Sequence, residues 1–205
     1  MDKKYWENYY KSHPSPGSSL FARYVFENHL KDGDRLIELG SGNGRDSIFF
    51  AQNNIQTIAV DQCEEEIMSL REKYNIPTLS FESADFTKLN DMSPFDHIYS
   101  RFTLHSIKEN EENSVINWAY RNLKEGGKFL IEARSKNNEL YGLGEPVPGE
   151  PDAYVYNSHY RRFIDTDKLR EKLEKAGFEI FLFEEENGFG GETDQCFFRK
   201  IAIKK

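Results

Sequence analysis

Between residues 38 and 46 the chain reads Glu38-Leu39-Gly40-Ser41-Gly42-Asn43-Gly44-Arg45-Asp46. Glycines on alternate positions let a backbone turn sharply and let a ligand lie against it. A dinucleotide-binding loop spaces its glycines as G-x-G-x-x-G, which would put the third at position 45, where this chain has Arg45. The spacing is G-x-G-x-G instead, with the carboxylate of Glu38 just before it. A carboxylate there suits a ligand with a cationic end better than a pyrophosphate. Other side chains with chemistry to offer follow: Asp61, Asp85, Arg101, His105 and Arg134.

For these residues to meet, a set of strands must end side by side. Residues 35–39 read as a short apolar strand feeding the glycine loop, and 46–53 as the helix after it. The next strand, 56–60, runs into Asp61, and 64–74 is an amphipathic helix. A third strand, 78–82, precedes Ala84-Asp85-Phe86, and a fourth, 97–100, follows the turn-like Ser93-Pro94. Residues 111–123 form a helix stopped by Gly126-Gly127, and 128–133 a fifth strand ending before Arg134. Residues 141–156 are a Gly/Pro-rich insertion with little expected secondary structure, and long loops of this kind often act as lids. Residues 165–176 read as a helix with Asp165 or Thr166 at its N-cap and Gly177 past its end. Two last strands, 178–183 and 196–203, have no helix between them and are expected to pair antiparallel. Upstream, 2–11 reads as a polar helix carrying Tyr5, Trp6, Tyr9 and Tyr10, and 20–30 as a second helix. This alternation predicts an α/β fold, Rossmann-like, with a mostly parallel twisted sheet, an antiparallel last strand and helices on both faces.

The segment from Glu38 to Gly44 resembles motif I (E/D-x-G-x-G-x-G) of the class I S-adenosylmethionine-dependent methyltransferases, and the likeness continues in register over residues 34–205. Asp61 matches the acid that binds both ribose hydroxyls, and a carboxylate can accept two hydrogen bonds from a cis-diol. Asp85 matches the acid at the adenine amine, and Phe86 the neighbour that packs on the ring. The stretch from Ser100 to His105 matches the segment facing the methyl donor, and Leu123-Lys124-Glu125-Gly126-Gly127 the turn before strand five, with Glu125 in place of Pro. The resemblance implies seven strands, S-adenosyl-L-methionine as cofactor and S-adenosyl-L-homocysteine as product. It assigns cofactor binding to Glu38, Gly40, Ser41, Gly42, Asn43, Asp46, Asp61, Gln62, Asp85, Phe86 and Arg101. Several have a plainer alternative: the glycines as turn residues, Asp61 as a helix cap, Asp85 as a loop acid, Phe86 as core, Glu38 as a brace.

Methyl transfer from a sulfonium is an in-line displacement with an activated donor, so the protein mainly positions an acceptor lone pair. A general base is needed only for a weakly acidic hydroxyl or a protonated amine. The candidates nearest the methyl are His105, as base or hydrogen-bond donor, and Arg101. Tyr5, His13, Arg23, Arg134, His159, Tyr160 and Arg161 are expected on the acceptor side. Arg101, Arg134 and Arg161 or Arg162 come from segments ending at one sheet edge, and guanidinium groups grip carboxylate or phosphate bidentately. An anionic acceptor follows as the expectation. Tyr5-Trp6-x-x-Tyr9-Tyr10, the run from Ser15 to Ala22 and that from Leu39 to Ser47 are also similar to small methyltransferases of bacterial surface-polysaccharide loci, some linked to O-methyl phosphoramidate decoration of capsules. That likeness implies a phosphoramidate or nucleotide-linked acceptor.

Composition narrows the alternatives. At 205 residues the chain suits a single domain, 38% hydrophobic and 30% charged, with a net charge of −8 and no long Lys/Arg run. Nucleic acid is therefore a poor partner and a small-molecule acceptor the better one. No stretch approaches the ~18 apolar residues of a membrane span, and no apolar leader opens the chain. Two cysteines far apart, Cys63 and Cys196, argue against disulfides and zinc, and for a reduced cytoplasm. No metal site is expected, and monomer and dimer remain equally open. Within the single domain, 1–33 is expected as an N-terminal helical lid, 34–134 as the cofactor core, 135–162 as the acceptor-side insertion and 163–205 as a closing helix and strand pair. A binding module that transfers no methyl group, or an NAD-dependent oxidoreductase, are the competing functions.

Overall fold

The computed structural model describes residues 5–6, 17–187 and 196–205. Its centre is β1 (Arg35–Leu39) beside β4 (Phe95–Arg101), strands buried along nearly their whole length. Strands buried on both faces belong in a parallel sheet covered on both sides. Around them lie β2 (Gln56–Asp61), β3 (Leu79–Ser83), β5 (Leu123–Ala133), β9 (Phe178–Asn187) and β10 (Cys196–Lys204). The seven strands take the order β3-β2-β1-β4-β5-β10-β9. All neighbours pair parallel except β10, which runs antiparallel to both β5 and β9. The strand order reverses between β1 and β4, where open α/β sheets leave a crevice at their C-terminal ends. The glycine loop follows β1 directly into that crevice.

Helices cover both faces. On one, α4 (Glu109–Asn122) and α5 (Thr166–Lys175) pack Val115, Trp118, Leu169 and Leu173 against Phe129, Ile131 and Phe198. On the other, α1 (Leu20–His29) and α2 (Arg45–Gln52) pack Phe21, Val25 and Phe50 against Leu36, Tyr99, Leu130 and Ile201. A third helix, α3 (Glu64–Lys73), sets Ile67 and Leu70 on Ala59 and Phe81. Their boundaries follow from caps. Ser19 accepts the Ala22 N–H at the start of α1, and Asp165 the Lys168 N–H at the start of α5. No helix among the described residues is long and apolar enough to cross a membrane.

Two expectations need correction. The insertion is not structureless: β6 (Glu145–Pro146), β7 (Ala153–Tyr156) and β8 (His159–Arg162) form a small antiparallel sheet. The β7–β8 turn, Asn157-Ser158, takes positive φ at both positions, 52° and 57°, the hairpin geometry that sequence normally advertises with Asn-Gly. This sheet is tied to the body: Lys136 pairs with Asp152 at 2.8 Å and with Asp165 at 3.0 Å, and Lys108 with Glu150 at 3.2 Å. The fifth strand also starts earlier than expected. Leu123 already pairs with Phe95, and an irregular stretch carrying both glycines precedes Lys128, which pairs with His97. Of the N-terminal helix only Tyr5 and Trp6 are described, and both are helical. Its other residues and His13 lie outside the described residues.

Candidate active site

The glycine loop is held by its own backbone. Gly40, Gly42 and Gly44 take φ of 72°, 54° and 71°, a region L-residues adopt only with strain. A Cβ on Gly40 would stand 2.4 Å from Thr103 Cγ2. The Gly40 and Ser41 N–H groups donate to the Val60 carbonyl at 2.8 and 2.9 Å. Gly42 N–H donates to Asp61 Oδ2 and Cys63 N–H to Asp61 Oδ1, both at 2.9 Å. Asp61 is thus fixed at the end of β2, and each of its oxygens keeps a further accepting lone pair. Ser41 Oγ and Gln62 Nε2, one on the loop and one just past Asp61, are buried without a hydrogen-bond partner among the described residues. Leaving such an atom unmet costs about 1–3 kcal/mol, so these positions fit a polar ligand lying along the loop. Asn43 sits half-buried near the loop's tip.

Behind the loop lie two buried carboxylates with different surroundings. Asp46, in the first turn of α2, accepts the Ser19 N–H at 2.6 Å, the Ser19 hydroxyl at 2.8 Å and the Tyr99 hydroxyl at 2.9 Å. Glu38 accepts the Ser47 hydroxyl. Burial, and then the charge of Asp46, hold Glu38 well above the usual carboxylate range. Further along, Asp85 caps the short turn Phe86–Lys88, accepting the Thr87 N–H at 3.0 Å and the Lys88 ammonium at 2.8 Å. Partial burial raises its pKa, but those bonds outweigh it and leave the group below the ordinary value. Phe86 is buried in the main core, its ring edge 3.6 Å from where a Cβ of Gly40 would be.

On the far side of the crevice, segments ending β4, β5 and β8 converge. Arg101 donates through Nε to Glu132 at 2.6 Å and lies over the Phe102 ring at 4.0 Å. Arg134 stands over Phe102 at 5.3 Å and Phe197 at 5.0 Å. Burial, then the charges of Arg161 and Arg101, push its pKa down to about 10, while Glu139 and Glu132 pull the other way. His105 is fully buried, and its Nδ1 accepts the Arg134 backbone N–H at 3.1 Å. Burial and the neighbouring Arg134, Arg161, His159 and Arg162 hold it well below the ordinary histidine value. Neutral and accepting at Nδ1, the ring carries its proton on Nε2 and presents a donor there. His159 stacks on Tyr5 at 4.0 Å, with Trp6 edge-on at 5.0 Å.

Not every expected residue joins this cluster. Arg23 is exposed on α1 and donates to Ser18 Oγ. Tyr160 donates its hydroxyl to Glu150 at 2.8 Å. Arg162, the alternative to Arg161, is spent on Glu112 and on the carbonyls of Leu104 and Ile107. Sequence reasoning missed Ser19 and Tyr99, which hold Asp46, and Glu132, Phe197 and Arg199, which surround the arginines. Their signal is spatial: each meets its partner across neighbouring strands or helices.

A family model described as a methyltransferase domain matches residues 11–182. The chain is 30% identical over 170 residues to cypemycin N-terminal methyltransferase of a Streptomyces species, spanning 82% of this chain and 67% of that one. It is 27% identical over 181 residues to phosphoethanolamine N-methyltransferase 3 of Arabidopsis thaliana, spanning 86% of this chain. The aligned part spans 65% of the length of one curated relative and 33% of another. The solved structure of the CcbJ methyltransferase from Streptomyces caelestis superposes with a TM-score of 0.76 at 17% identity, over 100% of this chain and 99% of that one. At that identity the likeness speaks for the fold.

Proposed function

This chain belongs to the class I S-adenosylmethionine-dependent methyltransferases, and we propose that it moves the donor's methyl group onto a small anionic acceptor. The donor supplies a methyl on a positive sulfur, a ready leaving group, so the protein's work is placement. In this reading Ser41, Asn43 and Gln62 meet the donor's polar atoms along the loop, Asp61 takes the ribose diol and Asp85 the adenine amine. The donor's ammonium, set beside Glu38, opposes the burial that raises its pKa and favours the ionised carboxylate, and Arg101 meets the donor's carboxylate. Phe86 backs the adenine from the core. Asp46 serves from behind, holding α2 to α1 and β4 through Ser19 and Tyr99.

The observation that carries the acceptor class is the convergence of Arg134 with Arg161 and Arg101, close enough for their charges to oppose one another. An anion between Arg134 and Arg161 relieves that repulsion, and guanidinium groups bind phosphate and carboxylate in pairs. His105 points to the same class: with Nδ1 engaged it is a donor rather than a base. An acceptor oxygen that is already ionised needs no base. A phosphate, phosphoramidate or carboxylate meets both conditions, and the phosphoethanolamine enzyme among the relatives is named for a phosphate-bearing acceptor. The likeness to surface-polysaccharide methyltransferases makes a capsule phosphoramidate the specific acceptor to try first. Residues 34–134 then serve the donor and 135–162 the acceptor, with Tyr5 and Trp6 set against His159. Tyr5 and His159 wall the acceptor side, with Arg23 and Tyr160 nearer its rim.

Calorimetry with S-adenosylhomocysteine and, separately, with NAD tests the donor half. S-adenosylhomocysteine should bind and Asp61→Ala should weaken it at least tenfold, while NAD stays silent. NAD binding with no response to S-adenosylhomocysteine would overturn the reading.

A further inference from the structure

Register places a row of alternating charges across four strands. Arg101 on β4 pairs with Glu132 on β5, Glu132 with Arg199 on β10, and Arg199 with Glu184 on β9. The inner members are deeply buried, the Arg199 side chain 0% exposed and that of Glu132 1%, while Arg101 at the row's end is 15% exposed. One Glu132 oxygen lies 2.6 Å from Arg101 Nε and the other 2.7 Å from an Arg199 nitrogen. At the other end, Arg101 follows Ser100, the partner of Leu39, so the row runs on towards Gly40.

Stability alone does not call for this arrangement. A buried ion pair or triad can be replaced by apolar groups of similar volume with neutral or favourable effect. This sheet contains that alternative two residues back along the strands, where Tyr99, Leu130, Ile201 and Leu182 form the equivalent row within the α1-side core. What charges add is direction: the hydrogen bond from Arg101 Nε to Glu132 fixes the Arg101 guanidinium in angle as well as in distance, while the Arg199 charge beside the other oxygen holds the carboxylate in place. We infer that Glu132 is a positioning residue, which from β5 and backed by Arg199 fixes the Arg101 guanidinium over Phe102 and beside the glycine loop. This rests on the assignment of Arg101 to the donor's carboxylate.

The test is a double-mutant cycle read by calorimetry with S-adenosylhomocysteine on wild type, Arg101→Met, Glu132→Gln and the double variant. Each single change should weaken binding about tenfold, the scale of one charge-assisted hydrogen bond. The double variant should bind no more weakly than Arg101→Met alone, because Glu132 acts through Arg101. Losses that multiply, or wild-type affinity in Glu132→Gln, would overturn the positioning role and leave the donor assignment standing. Failure of wild type to bind S-adenosylhomocysteine would overturn both. If Glu132→Gln does not fold by circular dichroism, Glu132→Asp replaces it: the charge stays, but the carboxylate is drawn back by one methylene.

Discussion

The Arg134 backbone N–H donates to His105 Nδ1 across 3.1 Å, so the end of β5 sets the tautomer of a buried histidine at the end of β4. The ring can accept no second proton without losing that bond and adding a charge beside Arg134, Arg161 and Arg162. The same contact turns a candidate base into a donor and leaves the acceptor to bring its own charge.

A stability effect with a definite sign follows. The His105 pKa is depressed in the native state, whereas the unfolded chain titrates near 6.5. Below that pH the unfolded chain binds a proton the native state refuses, so the stability present above about 6.5 is lost as pH falls towards the native pKa. His29, lowered to about 4 mainly by burial, acts in the same sense. Urea unfolding at pH 7.5 and 5.5 should show wild type losing stability. His105→Asn, which keeps an acceptor for Arg134, should lose about 1 kcal/mol less over that step. An equal loss in both proteins would contradict the buried neutral ring.

Asp46 is held by three donors, and its role divides cleanly from that of Asp61. Tyr99→Phe removes one hydroxyl at 2.9 Å with almost no change of shape. Unfolding free energy should fall by about 1.5–3 kcal/mol, the range for a hydrogen bond to a charged group. S-adenosylhomocysteine affinity should stay within about twofold of wild type, since the remaining bonds keep α2 in place. A large affinity loss at unchanged stability would mean that Asp46 touches the donor instead.

What could be read from the sequence was local. Glu38, the three glycines and Asp61 lie within one strand–loop–helix–strand stretch, and the likeness to motif I brought them together. The antiparallel end of the sheet was legible because 178–183 and 196–203 have no crossover helix between them. The hairpin at Asn157-Ser158 was not, since its left-handed turn lacks the glycine that usually reports one. Nor was the Arg101–Glu132–Arg199–Glu184 row, whose members come from four separate strands and become neighbours only through register. The clamp on Asp46 was hidden for the same reason: Ser19 and Tyr99 lie 27 and 53 residues away in the chain.

Gly40 carries a geometric demand that can be checked by itself. Gly40→Ala would place a Cβ 2.4 Å from Thr103 Cγ2 on a backbone with φ of 72°. The left-handed conformation alone costs about 1–2 kcal/mol for an L-residue, and the contact adds to it. Thr103→Ser removes the offending methyl, so Gly40→Ala/Thr103→Ser should recover part of the loss. Denaturation midpoints decide it; no recovery would place the strain elsewhere in the loop.

The most direct test of the central claim is transfer of a labelled methyl group from S-adenosylmethionine to a panel of phosphoramidates, nucleoside phosphates, small carboxylates and neutral sugars, run with wild type and Arg134→Met. Label should appear on anionic acceptors. Arg134→Met should raise their KM about tenfold or more while S-adenosylhomocysteine still binds as it does to wild type. Turnover of neutral sugars with a KM indifferent to Arg134 would contradict the anionic site.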